Sequence, residues 1–211
     1  VEKGLVEQRH PFRQVYTGVD KTAKRAITLR QVRLVKNLDL SDNRDLAFAR
    51  DMFLFSFYTR GMSLIDMAFL AADNLYNGRL TYTRRKTGQL LSIRWERCMQ
   101  EIVDRYHVKG ARYLLPLIER EGVDERQQYK TRSVWLCNKL KRIGQIIKFD
   151  APLTMYVARH SWASIARASH IPISVISEGM GHDSELTTQI YLSSFNYLEI
   201  DKANKRILNM L

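Results

Sequence analysis

Residues 77–93 read Asn77-Gly78-Arg79-Leu80-Thr81-Tyr82-Thr83-Arg84-Arg85-Lys86-Thr87-Gly88-Gln89-Leu90-Leu91-Ser92-Ile93, and here the hydrophobic period changes from helical to alternating. Leu80-Thr81-Tyr82-Thr83 and Leu90-Leu91-Ser92-Ile93 bracket a turn that contains Lys86-Thr87-Gly88, which predicts an antiparallel hairpin. The Asn77-Gly78 pair marks a second turn just before it. No other segment reads convincingly as sheet.

Helical patterns fill most of the rest. Thr28 caps a pattern running to about Asn37, with Leu29, Val32 and Val35 on one face. Asp42 opens a longer helix ending near Tyr58, whose Leu46, Phe48, Phe53, Phe55 and Phe57 are core material. Ser63-Leu64-Ile65-Asp66 has the form of a capping box, so another helix should start at Ser63. Helices are expected again at about 95–107, 125–147, 154–168 (from the cap-like Thr154), 173–179, 185–192 and 196–210. The predicted fold class is mainly α with one small antiparallel β-sheet, an α+β architecture. Residues 1–27 are polar and turn-rich, with Gly4, Pro11 and Gly18, and read as a linker.

The chain has 211 residues and a formal net charge of +12, from 34 Lys and Arg against 22 Asp and Glu. The cations are spread along the sequence, so the fold and not a disordered arm carries the excess. A basic surface of this kind suits a polyanion, because each cation placed near a phosphate releases condensed counterions. Cys98 and Cys137 are far apart, match no metal spacing and imply no disulfide framework. Neither a membrane span nor a signal peptide is legible, and the expected location is cytoplasmic.

Three short motifs stand out towards the C-terminus. Ala158-Arg159-His160-Ser161-Trp162-Ala163 puts an arginine in a helix that packing alone does not require. Gly181-His182 lies in a connection between helices, and Thr187-Thr188-Gln189-Ile190-Tyr191 follows on a short helix. Singly each has an ordinary reading: Arg159 as a surface ion pair, His182 as a cap, Tyr191 as a half-buried aromatic.

Together with Arg85-Lys86-Thr87-Gly88, their order and spacing resemble the tyrosine recombinase (phage integrase) family. The resemblance runs from about residue 28 to the C-terminus. It implies a catalytic domain over 28–211 in which Tyr191 attacks a DNA phosphodiester and forms a 3′-phosphotyrosine. Arg159 then supplies a bidentate fork to the phosphate, His182 hydrogen-bonds the same group, and Lys86 protonates the leaving 5′ oxygen. No cofactor and no metal is implied.

Two positions depart from the family pattern. Ser63 stands where the first catalytic arginine is expected, as in integrases of mobile elements that carry serine there. It either caps its helix, the preferred reading, or donates a hydroxyl to the phosphate. Arg60 is a candidate substitute contact, with a solvent-facing helix end as the alternative. Tyr156 replaces a histidine three residues before Arg159, and either orients phosphate or Tyr191 or fills a helix interface. His160 reads as a buried structural histidine.

The resemblance further implies double-stranded DNA as partner and a homotetramer on DNA for the full-length protein. The helix at about 196–210 would dock on a neighbour, and the isolated domain would be monomeric. A core-binding domain is expected N-terminal to residues 1–27. Two other readings stay open: a non-cleaving DNA-binding module with a decayed site, and relaxation of the type IB topoisomerase kind.

Overall fold

The computed structural model describes residues 26–192, 204–205 and 207–210. The linker expected over 1–27 and the docking helix expected over 196–210 therefore lie largely outside the described residues. Among the described residues no helix is long and apolar enough to cross a membrane.

Helix α1 (Leu29–Asn37) begins with a complete capping box, in which Thr28 Oγ1 accepts from Gln31 N–H and the Gln31 amide answers the Thr28 N–H. Helix α2 (Arg44–Tyr58) is capped by Asn43, whose Oδ1 accepts from Leu46 N–H, and not by Asp42 as the sequence suggested. It is apolar on nearly every side, with Met52, Phe53 and Phe55 fully buried, and α1, α4, α5 and α6 pack around it. Its one buried acid is Asp51, which accepts from Arg50 Nε at 2.8 Å, from Tyr106 Oη at 2.8 Å and from Arg105 Nη1. That pairing is what makes a carboxylate tolerable there.

After α3 (Leu64–Ala68) and a 3₁₀ turn (Ala72–Asn74) comes the sheet, of order β1-β2-β3: β1 (Leu75–Tyr76), β2 (Arg79–Thr83) and β3 (Leu90–Arg94). The expected two-stranded hairpin thus has a third, two-residue strand. Asn77 (φ 46°) and Gly78 (φ 69°) are both left-handed, so the Asn-Gly pair folds β1 back on β2. Leu80 pairs with Ile93 and Tyr82 with Leu91, and all four side chains are buried.

Helix α4 (Arg97–Tyr106) precedes an irregular stretch, and α5 (Glu125–Ile146), α6 (Met155–Ala168), α7 (Ile173–Met180) and α8 (Glu185–Leu192) complete the described fold. The main core joins α1 to α5, the sheet and the first turn of α6. A smaller cluster of Ala163, Ala166, Ile176, Met180 and Leu192 locks α6, α7 and α8 together. The polar residues discussed next sit on the seam between the two.

Candidate active site

Helix α6 carries Arg159 on its buried side, with only 6% of its surface exposed. Two main-chain carbonyls hold its guanidinium: Nη1 donates to Gly61 O at 2.9 Å and Nη2 to Met180 O at 2.7 Å, while Nη2 also lies 3.0 Å from His182 Nε2. The turn between α2 and α3 makes the first contact possible. Gly61 has φ +77°, and a Cβ there would stand 2.6 Å from Arg159 Cα. Only glycine lets the chain pass this close in that conformation.

Gly181 ends α7 in the left-handed conformation (φ 64°), which turns the chain so that His182 faces Arg159. The other ring nitrogen, Nδ1, lies 2.7 Å from Thr188 Oγ1 on α8. Burial lowers the pKa of His182 to about 4, assisted by the positive charges of Arg159, Arg84 and Lys86. The ring is therefore neutral at neutral pH.

The β2–β3 turn closes the cleft from the side of the sheet. Arg84, 8% exposed, donates from Nη1 to Gly181 O, and Gln89 Nε2 donates to His182 O at 3.3 Å. Arg85 N–H donates to Asp66 Oδ1 at 3.0 Å, and the Arg85 guanidinium stacks 3.8 Å over the Phe69 ring. The hairpin that bears Lys86 is thus anchored to α3 at one end and to the α7–α8 connection at the other. Lys86 itself is exposed and lines the cleft.

The resulting cleft has a volume of about 500 Å³, and Ser63, Lys86, Tyr156, Arg159 and His182 all line it. Ser63 Oγ donates to Asp66 Oδ2 at 2.6 Å and caps α3 through Asp66 N–H at 3.4 Å, the helix-capping arrangement preferred from sequence. Tyr156 is 51% exposed, so it does not fill a helix interface; its ring meets the buried His160 edge-on at 4.3 Å. Arg60, left-handed at φ 61°, runs its side chain against Gly179 of α7 and is not among the residues lining the cleft. Tyr191 belongs to α8, three positions after Thr188.

Three features went unread in the sequence. Arg84 extends the inward register of Leu80 and Tyr82 by two residues, a signal present in the alternation of the strand. Thr188 is fully buried while Thr187 is exposed, and only the packing separates them. Thr87 and Thr154 each bury a hydroxyl with no hydrogen-bond partner among the described residues, and both line the cleft. Thr154 does occupy the N-cap position of α6, but its hydroxyl makes no capping bond. Among the described residues no group of three His, Cys, Asp or Glu side chains is placed to hold a metal ion.

No protein-family model and no curated protein sequence matches the chain. Solved structures do. A crystal structure of XerA recombinase aligns with TM-score 0.59 and 14% identity over 86% of this chain and 65% of its own. XerH site-specific recombinase bound to its difH substrate aligns with TM-score 0.61 and 15% identity over 90% of this chain and 56% of its own. A lambda integrase dimer bound to a COC′ core site gives 0.60 and 16%, over 86% and 53%. The fold is that of the tyrosine recombinase catalytic domain. This chain thus spans between half and two thirds of the recombinase chains it matches. Within the recombinase fold, Arg159, His182 and Lys86 come from α6, the α7–α8 connection and the β2–β3 turn, and share one cleft.

Proposed function

We propose that this chain is the catalytic domain of a site-specific DNA recombinase that cleaves and rejoins strands through a 3′-phosphotyrosine at Tyr191. The observation that carries the reading is the buried, carbonyl-held Arg159 fork beside a neutral His182 in a cleft that Arg84 and Lys86 also line. Cations held in place before substrate arrives stabilise charge as it develops on a phosphoryl group, and they cost no reorganisation at the moment of reaction.

In the proposed step the Tyr191 phenolic oxygen forms a bond to phosphorus and the bond to the 5′ oxygen breaks. Lys86 gives its proton to that leaving oxygen, and the phenolic proton passes to solvent. Arg159 and His182 hold the nonbridging oxygens. The phosphotyrosine keeps the ester-bond energy, so an incoming 5′-hydroxyl can reverse the step. The orphan hydroxyls of Thr87 and Thr154 support a ligand with several acceptor oxygens in this cleft. Arg84 takes the place left by Ser63 as the second guanidinium: it is buried within the cleft, whereas Arg60 lies against α7.

Double-stranded DNA is the proposed partner, supported by the net charge of +12. In the full-length protein a core-binding domain preceding residues 1–27 would complete a clamp, four protomers would assemble on DNA, and the helix of 196–210 would join neighbours. Action on DNA is the basis for proposing a cytoplasmic location.

One observation favours a second reading, a DNA-binding module that does not cleave. The Ser63 hydroxyl is committed to Asp66 and so contributes nothing to a phosphate. Incubation with nicked suicide duplexes, followed by a denaturing gel, separates the two. The recombinase reading expects a protein–DNA adduct that Tyr191→Phe abolishes and that Arg84→Ala reduces by about a hundredfold or more. Bound DNA that never becomes covalent supports the module.

A further inference from the structure

We propose that Thr188 is a positioning residue that fixes the orientation of the His182 ring and ties it to helix α8, the helix that carries Tyr191. The inference rests on the recombinase reading for its consequence, but the hydrogen bonding stands independently of it.

The tautomer follows from the partners. A guanidinium has only donors, so the nitrogen facing it must present a lone pair. Arg159 Nη2 lies 3.0 Å from His182 Nε2, which makes Nε2 the acceptor. A neutral imidazole with a bare Nε2 carries its proton on Nδ1, and Nδ1 lies 2.7 Å from Thr188 Oγ1. Thr188 therefore accepts from Nδ1–H. Its side chain is fully buried, so water cannot take over the contact at little cost. Burial and the neighbouring cations keep the ring neutral, in agreement with this geometry.

A hydroxyl is unusual as a histidine orienter because it both donates and accepts. A carboxylate in its place would hold the proton on Nδ1 and favour the charged ring. Threonine supports either neutral tautomer, so the ring can offer Nε2 as a lone pair to Arg159 or as a donor to a phosphate oxygen. The same bond crosses from the α7–α8 connection to the interior of α8. Ser184 fixes the start of that helix, with its Oγ accepting from Thr187 N–H at 3.3 Å. Tyr191 stands three residues after Thr188, just under one helical turn further on. A ligand that reorients His182 thereby acts on the helix bearing the nucleophile.

The test uses the 211-residue chain and reads the histidine ring nitrogens by nitrogen-15 NMR, with the His182 signals assigned by their loss in His182→Gln. The unsubstituted chain should show a protonated Nδ1 and an unprotonated Nε2. Thr188→Val, which keeps the shape and removes the hydroxyl, leaves Nδ1–H without its acceptor and should shift and broaden the Nδ1 signal as the ring loses its fixed orientation, and Thr188→Ser should restore it. A protonated Nε2 in the unsubstituted chain, or an Nδ1 signal unchanged in Thr188→Val, overturns the proposal. In parallel, cleavage of a suicide duplex at saturating DNA should fall about tenfold in Thr188→Val, with DNA affinity unchanged, and recover in Thr188→Ser. If the ring signals behave as expected while the unsubstituted chain forms no adduct, the positioning role stands and the recombinase reading fails.

Discussion

Replacing Gly61 with alanine perturbs the fold and the cleft through one methyl group, and the structure gives the size of the effect. Gly61 sits at φ +77°, a conformation that costs an L residue roughly 1–2 kcal/mol. The new Cβ would also lie 2.6 Å from Arg159 Cα, 2.7 Å from its Cγ and 2.8 Å from its Cβ. Two of these atoms stay fixed whatever rotamer Arg159 adopts, so α6 or the α2–α3 turn must shift, an overpacking cost of about 1–3 kcal/mol. The sum, about 2–5 kcal/mol, lowers the melting temperature by roughly 5–15 °C in a domain of this size. Gly78→Ala is the internal control: its φ is +69° but nothing lies within 4 Å of its missing Cβ. It should cost the conformational part alone, about 1–2 kcal/mol. Thermal unfolding followed by circular dichroism compares the two directly. Adduct formation should also be lost in Gly61→Ala, because a shift of either segment disturbs the hydrogen bond from Arg159 to Gly61 O. Equal destabilisation of the two variants, within about 0.5 kcal/mol, would refute the claim that this close approach sets the arginine.

Asp51→Ala leaves Arg50, Arg105 and Tyr106 without their shared acceptor and should cost about 2–4 kcal/mol, read as a lower urea midpoint. For His182 the folded pKa of about 4 lies below the ordinary 6.5, so between these values the unfolded chain binds the extra proton. Its contribution to stability is complete above pH 6.5 and is lost as the pH falls towards 4. Unfolding measured at pH 5 and pH 7.5 should show this slope in the unsubstituted chain and a shallower one in His182→Asn. Lys86→Ala should abolish cleavage of an ordinary phosphodiester but leave cleavage of a substrate with sulfur at the leaving 5′ position, since a thiolate departs without a proton. Failure on both substrates would place Lys86 in phosphate binding.

How far the fold is legible depends on the length of each element. Alternation over Leu80–Thr83 and Leu90–Ile93 marks the hairpin, but β1 is two residues long and offers no period to detect. The aromatic run of α2 announces a buried helix, and its start differs by one cap residue. In the site, Arg159, His182 and Lys86 stand out through order and spacing. What holds them is non-local: carbonyls of Gly61 and Met180 for Arg159, Thr188 for His182, and Asp66 for the lysine-bearing turn. No local pattern announces a carbonyl aimed at a guanidinium about a hundred residues away. Arg84 is a different case, because counting by twos from Leu80 and Tyr82 points it inward. A buried arginine beside the expected cations is the reading that count supports.

If Tyr191 is the nucleophile it becomes joined to DNA, and that bond can be sought chemically. The protein would be incubated with a library of nicked suicide duplexes carrying randomised half-sites, and covalently bound DNA would be recovered under denaturing conditions. Nuclease and protease digestion followed by mass spectrometry then identifies the modified peptide. The expected result is a nucleotide attached to Tyr191 through a 3′ phosphate, present in the unsubstituted chain and absent from Tyr191→Phe. An adduct on any other residue, or bound duplexes with no adduct at all, would contradict it.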